Sequence, residues 1–193
     1  MNITFTPLAQ VHFSLLIKWL QTPHVKLWWP VTPKLQSSVG EDQDIKWTPE
    51  LIEEKYSDYV NGGKLVTERE DAFKKPIYAY ITCVSDTPIG YIQYYNVHDF
   101  SREQCQDLSE LPNFCAGLDW YIGEVEFIGK NIGSKALCFF LEQHVFQKFD
   151  YVFVDPDTAN AGAIRTYEKA GFKKIKEQLG TGEIWMIKSK VNT

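Results

Sequence analysis

The sequence predicts an α/β fold with one mixed, mostly antiparallel central sheet flanked by helices. Three observations predict it. Stretches with strand character alternate with stretches of helical spacing, in the order strand, helix, helix, three strands, helix, strand, helix, strand, strand. Two of the middle strands, IYAYITCV (77–84) and IGYIQYYN (89–96), are separated by only four residues, which hold the turn signal Asp86-Thr87-Pro88, and so form an antiparallel hairpin. No internal repeat, low-complexity tract or linker divides the 193 residues, a length that suits one well-filled core. Residues 1–193 are therefore read as a single domain, with a long loop over 31–49.

Each element has its own signal. Residues 2–6 (NITFT) alternate and make a short strand that Pro7 ends. Val11, Leu15, Leu16 and Trp19 recur at helical spacing, giving a helix over 9–20 that Thr22-Pro23 stops. HVKLWWP (24–30) is a short aromatic-rich piece before a polar loop. Thr48 is an N-cap and Pro49 fits a first helical turn, so a second helix runs to about Val60 and ends at Asn61-Gly62-Gly63. Beyond the hairpin, 97–115 is polar and irregular with some helix, and AGLDWYIG (116–123) is the next strand. A helix over about 133–148, the buried strand YVFV (151–154) and a helix over about 160–169 follow. Two strands near 172–178 and 183–190 close the sheet.

Composition narrows the function classes. A net charge of −5 and a pI of about 5.4 argue against nucleic acid, which wants a basic face, and are compatible with a cationic small molecule. The four cysteines, Cys83, Cys105, Cys115 and Cys138, form no C-x-x-C pair and no zinc spacing with histidine, so they read as free thiols and no metal is expected. The start MNITFTPLAQVHF lacks the basic and apolar regions of a signal peptide, and no run approaches 18 apolar residues. A soluble, cytoplasmic protein without a membrane partner is expected. No heptad pattern decides between monomer and homodimer.

Two stretches carry chemistry. In EVEFIGKNIGSKALCFFLEQHVF (124–146), a strand leads into a turn of Gly129, Lys130, Asn131, Ile132, Gly133 and Ser134, and an amphipathic helix follows at once. The first amides of such a helix lack intrahelical partners and the helix dipole adds positive potential, which together suit a phosphate or pyrophosphate. The alternative is a plain glycine turn before a helix. In VDPDTANAGAIRTYEKAGF (154–172), a strand end breaks at Asp155-Pro156 and a helix begins near Asn160. Asn160 either bonds a ligand's amide groups or caps the helix. Tyr167 lies two turns on, on the same face, where a phenol could protonate a leaving thiolate or simply pack.

Together these stretches resemble the GCN5-related N-acetyltransferase (GNAT) family, whose glycine turn holds the pyrophosphate of acetyl-coenzyme A and whose N-x-x-A-I-x-x-Y-E-K-x-G-F segment contacts the pantetheine arm. Asn160, Ala163, Ile164, Tyr167, Glu168, Lys169, Gly171 and Phe172 supply that segment. The turn departs from the family pattern: Ile128 stands for a polar residue and Asn131 for a glycine, although asparagine tolerates left-handed backbone. Within the family, HVKLWW, PIGYIQYYN, GLDWYIGE and DPDTANAGAIRTYEKAGF are similar to segments of aminoglycoside 6′-N-acetyltransferases, over about residues 3–188.

The resemblance implies a GNAT-like sheet splayed at the cofactor cleft, acetyl-CoA as co-substrate, and transfer to a primary amine of a small cationic acceptor, an aminoglycoside 6′-amine. It assigns Asp119 as the base or amine-orienting carboxylate, the backbone N–H groups near Tyr121 and Ile122 as carbonyl donors, and Tyr167 as the thiolate acid. Residues 128–134, Asn160 and Ala163 would bind the cofactor. Asp155 matches a substrate-contacting aspartate. Trp28 and Trp29 are read as a pocket wall or a core plug, and Asp99, Asp107 and Glu110 as further carboxylates for a polycation or as solvated loop charges. Two alternatives stay open: a siderophore-pathway N-acyltransferase acting on a hydroxylysine-type amine, where histidine usually stands at the Asp119 position, and a CoA-binding module without turnover.

Overall fold

The computed structural model describes residues 2–29, 46–60, 75–100 and 107–191. Strand β1 (Ile3–Pro7) leads through one 3₁₀ turn to helix α1 (Phe13–Leu20) and the single turn α2 (Pro23–Lys26). Helix α3 (Pro49–Tyr56) starts as its sequence suggests: the Thr48 side chain accepts a hydrogen bond from Leu51 N, and Pro49 occupies the first turn. The glycine pair expected to end α3, most of the 31–49 loop and Cys105 lie outside the described residues.

Strands β2 (Ile77–Val84) and β3 (Thr87–Asn96) form the expected hairpin with a tighter turn than Asp86-Thr87-Pro88 suggests. The turn is Ser85-Asp86, both at positive φ (47° and 66°), so strand pairing already resumes at Thr87. Two left-handed central residues match the right-handed twist of the flanking strands. Then come β4 (Cys115–Ile122), α4 (Ile132–Phe140), β5 (Tyr151–Val154), α5 (Ala161–Lys169), β6 (Lys173–Gln178) and β7 (Glu183–Ser189). The helix expected over 133–148 is regular only to Phe140. It widens into a π-type turn over Leu141–Val145.

The seven strands lie in the order β1-β2-β3-β4-β5-β7-β6, antiparallel except for β4 and β5. That one parallel contact is short, matching Cys115 to Tyr151, Ala116 to Val152 and Gly117 to Phe153. Strand β4 continues to Ile122, whereas β5 stops at Val154 ahead of Pro156, which has no N–H for a ladder. The sheet therefore opens along the far half of β4.

Helices cover both faces. Leu16, Trp19, Ile52 and Tyr56 from α1 and α3 pack on Ile81, Tyr91 and Tyr121. On the opposite face Leu137, Phe140 and Tyr167 from α4 and α5 pack with Ile92, Leu118 and Phe172. Each fully buried aliphatic or aromatic side chain contributes about 1.5–3 kcal/mol. The period-2 alternation of β4 puts Asp119 and Tyr121 toward the α1–α3 layer, and Leu118 and Trp120 toward α4 and α5. Cys83 and Cys138 are free thiols, and Cys115 is buried.

Candidate active site

A cleft of about 700 Å³ lies where β4 and β5 part. One wall is β4 from Leu118 to Ile122. The others are the turn from Phe127 into α4, the Asp155–Asp157 strand exit with α5, and the segment His24–Trp29. Because the gap passes through the sheet, Asp119 from one face and Tyr167 from the other reach the same space.

The turn into α4 is built for backbone exposure. Gly129 (φ 76°) and Asn131 (φ 57°, ψ 18°) are left-handed. Asn131 thus takes the left-handed backbone expected where the resembled pattern has a glycine, and Lys169 Nζ of α5 donates to its Oδ1 at 2.9 Å, tying the turn down. No side chain caps α4, so its first amides remain for a ligand. A Cβ at Gly133 would stand 2.6 Å from Trp120 Cη2, whereas one at Gly129 would meet nothing within 4 Å. Gly133 is therefore needed for close approach of helix and strand, and Gly129 for its backbone conformation. A bare helix start with left-handed residues before it fits a pyrophosphate.

Asn160 caps α5: its Oδ1 accepts from Ala163 N at 3.1 Å. The cap leaves the Nδ2 amino group for a ligand carbonyl. Tyr167 is almost fully buried. Burial pushes its phenol far above the ordinary tyrosine value, the Asp119 and Asp155 charges add to the rise, and a hydrogen bond with the Trp120 side chain opposes it. The phenol is a firmly protonated hydrogen-bond donor.

Asp119 is half-buried and held from behind. Gln93, its register partner on β3, donates from Nε2 to Asp119 Oδ2 at 2.8 Å. Tyr91 Oη in turn donates to Gln93 Oε1 at 2.6 Å. This chain fixes which carboxylate oxygen faces the cleft. Trp29 packs edge-on against Tyr91 and Tyr121, with ring centroids 6.1 and 5.0 Å apart, and so walls the acceptor side. His24 Nε2 lies 3.0 Å from Ile122 O at the end of β4. Glu124 just beyond accepts from Trp19 Nε1 at 2.7 Å and pairs with Lys18, whose hydrogen bond is the larger cause of its lowered carboxyl pKa.

The cleft brings together Asp119, Tyr121, Ile122, Ile128, Gly129, Asn131, Ile132, Gly133, Ser134, Asp155, Asn160, Ala163, Tyr167, Trp28 and Trp29. Four residues singled out in the sequence are not among those lining the cleft: Lys130, which belongs to the same turn, and the acids Asp99, Asp107 and Glu110. Lys130 is exposed with its Nζ over the Phe127 ring, and Asp99, at the far end of β3, pairs with Lys75 at 3.4 Å. Of the loop acids, Asp107 bonds Ser109 and Glu110 pairs with Lys176 at 2.9 Å. Gln93 was missed, and a glutamine in the middle of the apolar strand IGYIQYYN was the available signal for it. Among the described residues, no group of His, Cys, Asp and Glu is arranged to hold a metal ion.

The model of the acetyltransferase (GNAT) domain matches residues 64–178, more than half of the chain. This chain is a GNAT-family acetyltransferase. The GNAT chain is an acetyl-CoA-dependent N-acetyltransferase. It is similar to the aminoglycoside N(6′)-acetyltransferases type 1 of Klebsiella pneumoniae and of Serratia marcescens. Each is 25% identical over 175 residues, covering 90% of this chain and 75% of the relative. Among solved structures, the aminoglycoside acetyltransferase AAC(6′)-Ib in complex with coenzyme A superposes with a TM-score of 0.72 at 23% identity, covering 98% of this chain and 95% of that one. A complex of AAC(6′)-Ib with coenzyme A and kanamycin gives 0.69 at 23% identity, over 98% and 95%. These structures share the fold of the GNAT chain. None of its described helices is long and apolar enough to cross a membrane.

Proposed function

We propose that this GNAT enzyme acetylates a primary amine of a small cationic substrate, the 6′-amine of an aminoglycoside. The observation that carries the reading is the presence in one cleft of a bare helix start and an oriented carboxylate, Asp119. Asp155 and Asp157 line the same cleft and add negative charge for a polycation. The names of the relatives support the same acceptor class.

Acetyl-CoA, when bound, supplies an acetyl group activated as a thioester. The residues suited to hold it are the α4 turn (Ile128, Gly129, Asn131, Ile132, Gly133, Ser134) for the phosphates, and Asn160 and Ala163 for the amide arm. The backbone N–H of Ile122, on the edge of β4 that β5 leaves open, is the donor for the acetyl oxygen, while that of Tyr121 faces Tyr91 in the β3 pairing. Asp119 orients the acceptor ammonium and accepts its proton, directly or through water. Gln93 keeps that carboxylate aimed. Tyr167 donates to the departing sulfur. Alignment of two substrates in one cleft can contribute roughly 7–11 kcal/mol to lowering the barrier.

Thiol release from acetyl-CoA, measured with kanamycin, spermidine and hydroxylysine in parallel, tests this reading. Turnover on the sugar above the other amines is expected. Turnover confined to hydroxylysine would move the enzyme to a siderophore-type reaction, and coenzyme binding without turnover on any amine would make it a binding module.

A further inference from the structure

Strand β4 runs past the end of β5, so the backbone groups of Ile122 on its open edge face no strand. A side chain reaches that edge instead: His24 Nε2 lies 3.0 Å from Ile122 O. A carbonyl oxygen can only accept, so Nε2 carries the hydrogen and donates it. A trans peptide points its C=O and N–H in opposite directions. The other end of the same peptide, Gly123 N, donates to Ile89 O at 2.7 Å. The Ile122–Gly123 peptide is thus held from both sides, at the root of β3 and by His24. Tyr121, the residue before, is matched to Tyr91 in the β3 register. The backbone of Ile122 is therefore fixed at both ends, and with it the direction of its N–H into the cleft. The corner beyond is tightly packed, since a Cβ on Gly123 would stand 2.1 Å from Trp19 Cγ and Glu124 is bonded to Trp19 and Lys18. His24 and Ile122 both line the cleft. His24 rides on α2, the turn that also delivers Trp29 to the acceptor wall through Trp29 N and Val25 O at 2.8 Å.

We propose that His24 is a positioning residue for acetyl transfer: by donating to Ile122 O it holds the open edge of β4 so that Ile122 N–H meets the acetyl oxygen as negative charge develops there. The inference rests on the reading of Ile122 N–H as the acetyl-oxygen donor and adds the side chain that aims it. A donor aimed at the transition state acts on kcat and not on cofactor binding. A histidine that only held the fold together would weaken both.

His24→Gln keeps an Nε2–H donor of similar reach, and His24→Leu removes it. Steady-state kinetics with kanamycin and acetyl-CoA separate kcat from KM. Infrared difference spectra of acetyl-CoA, isotope-labelled at its carbonyl carbon and bound without any amine, read the hydrogen bond to the acetyl oxygen directly. That arm needs no acceptor and so decides even without turnover on kanamycin. Calorimetric binding of coenzyme A, which has no acetyl oxygen, checks that each variant is folded. In His24→Leu, kcat should fall about tenfold with the KM for acetyl-CoA unchanged, and the carbonyl band should move to higher wavenumber. His24→Gln should recover most of kcat and the wild-type band. An unmoved band in His24→Leu, or a loss of kcat matched by a loss of coenzyme A binding, overturns the inference and leaves the Ile122 donor standing. A wild-type band no lower than that of the free thioester in an aprotic solvent overturns the Ile122 donor as well.

Discussion

Gln93 and Asp119 face each other across β3 and β4 and share a 2.8 Å hydrogen bond from Nε2 to Oδ2. The amide consumes one carboxylate oxygen and leaves the other directed at the acceptor. Gln93 is buried, so its orientation is fixed by Tyr91 on the other side and not by solvent.

Replacing Gln93 with Leu should therefore lower kcat about tenfold while the KM for acetyl-CoA stays unchanged, because only the aim of Asp119 is lost. Steady-state kinetics with both substrates varied separate the two parameters. An unchanged kcat would show that Asp119 needs no such support.

Tyr167→Phe keeps the ring that packs against Phe172, with centroids 5.3 Å apart, and removes only the hydroxyl. Coenzyme binding by calorimetry should hold, and kcat should fall about a hundredfold if the phenol protonates the thiolate. Loss of binding with kcat preserved would reassign Tyr167 to packing.

Gly133→Ala places a methyl 2.6 Å from Trp120 Cη2 and 3.1 Å from Thr166 Cγ2. Trp120 must move, and with it the strand that flanks the cleft. A loss of about 1–3 kcal/mol in stability and weaker coenzyme A binding are expected, read by thermal unfolding and calorimetry.

Lys55 gives a pH-dependent prediction. Its folded pKa is lowered from 10.5 by burial, so the unfolded chain binds that proton more tightly than the folded one. Stability then rises with pH across the window between the folded value and 10.5, and below that window the full penalty is present. Lys55→Met should exceed the wild type in stability by about 1 kcal/mol near neutral pH, with the advantage shrinking as pH climbs through the window. Chemical denaturation of both proteins at several pH values checks the sign.

Local signals made much of the framework legible. The hairpin, the Thr48 cap with Pro49, and the Asp155-Pro156 break are written in neighbouring residues, and the structure has each of them with shifts at the ends. The α4 turn and the Asn160 helix could be joined into one site because both are strand-to-helix corners at the same end of the sheet. Side chains that arrive from other layers were not legible. Gln93 matters through its register with Asp119, and register is a property of paired strands. Lys55 sits in α3, which the sequence marks by its Thr48 cap, Pro49 and the Asn61-Gly62-Gly63 stop, and its Nζ comes within 6.0 Å of the Trp29 ring centre only through the packing of α3 on the sheet. Asp99 shows the converse: proximity to Asp119 in the chain suggested a shared pocket, but β3 carries it to the far end, beside Lys75. The helix after the turn is less regular than its sequence suggests, since apolar periodicity continues unbroken through the wide turn at Leu141–Val145.

The most direct measurement is single-turnover thiol release from acetyl-CoA with kanamycin present, comparing the wild type with Asp119→Asn. The substitution keeps the shape and removes the carboxylate's charge and basicity. A fall of about 10²–10⁴ in the rate, with coenzyme A binding intact, is the predicted result. Release at the wild-type rate from the Asn variant would contradict the account.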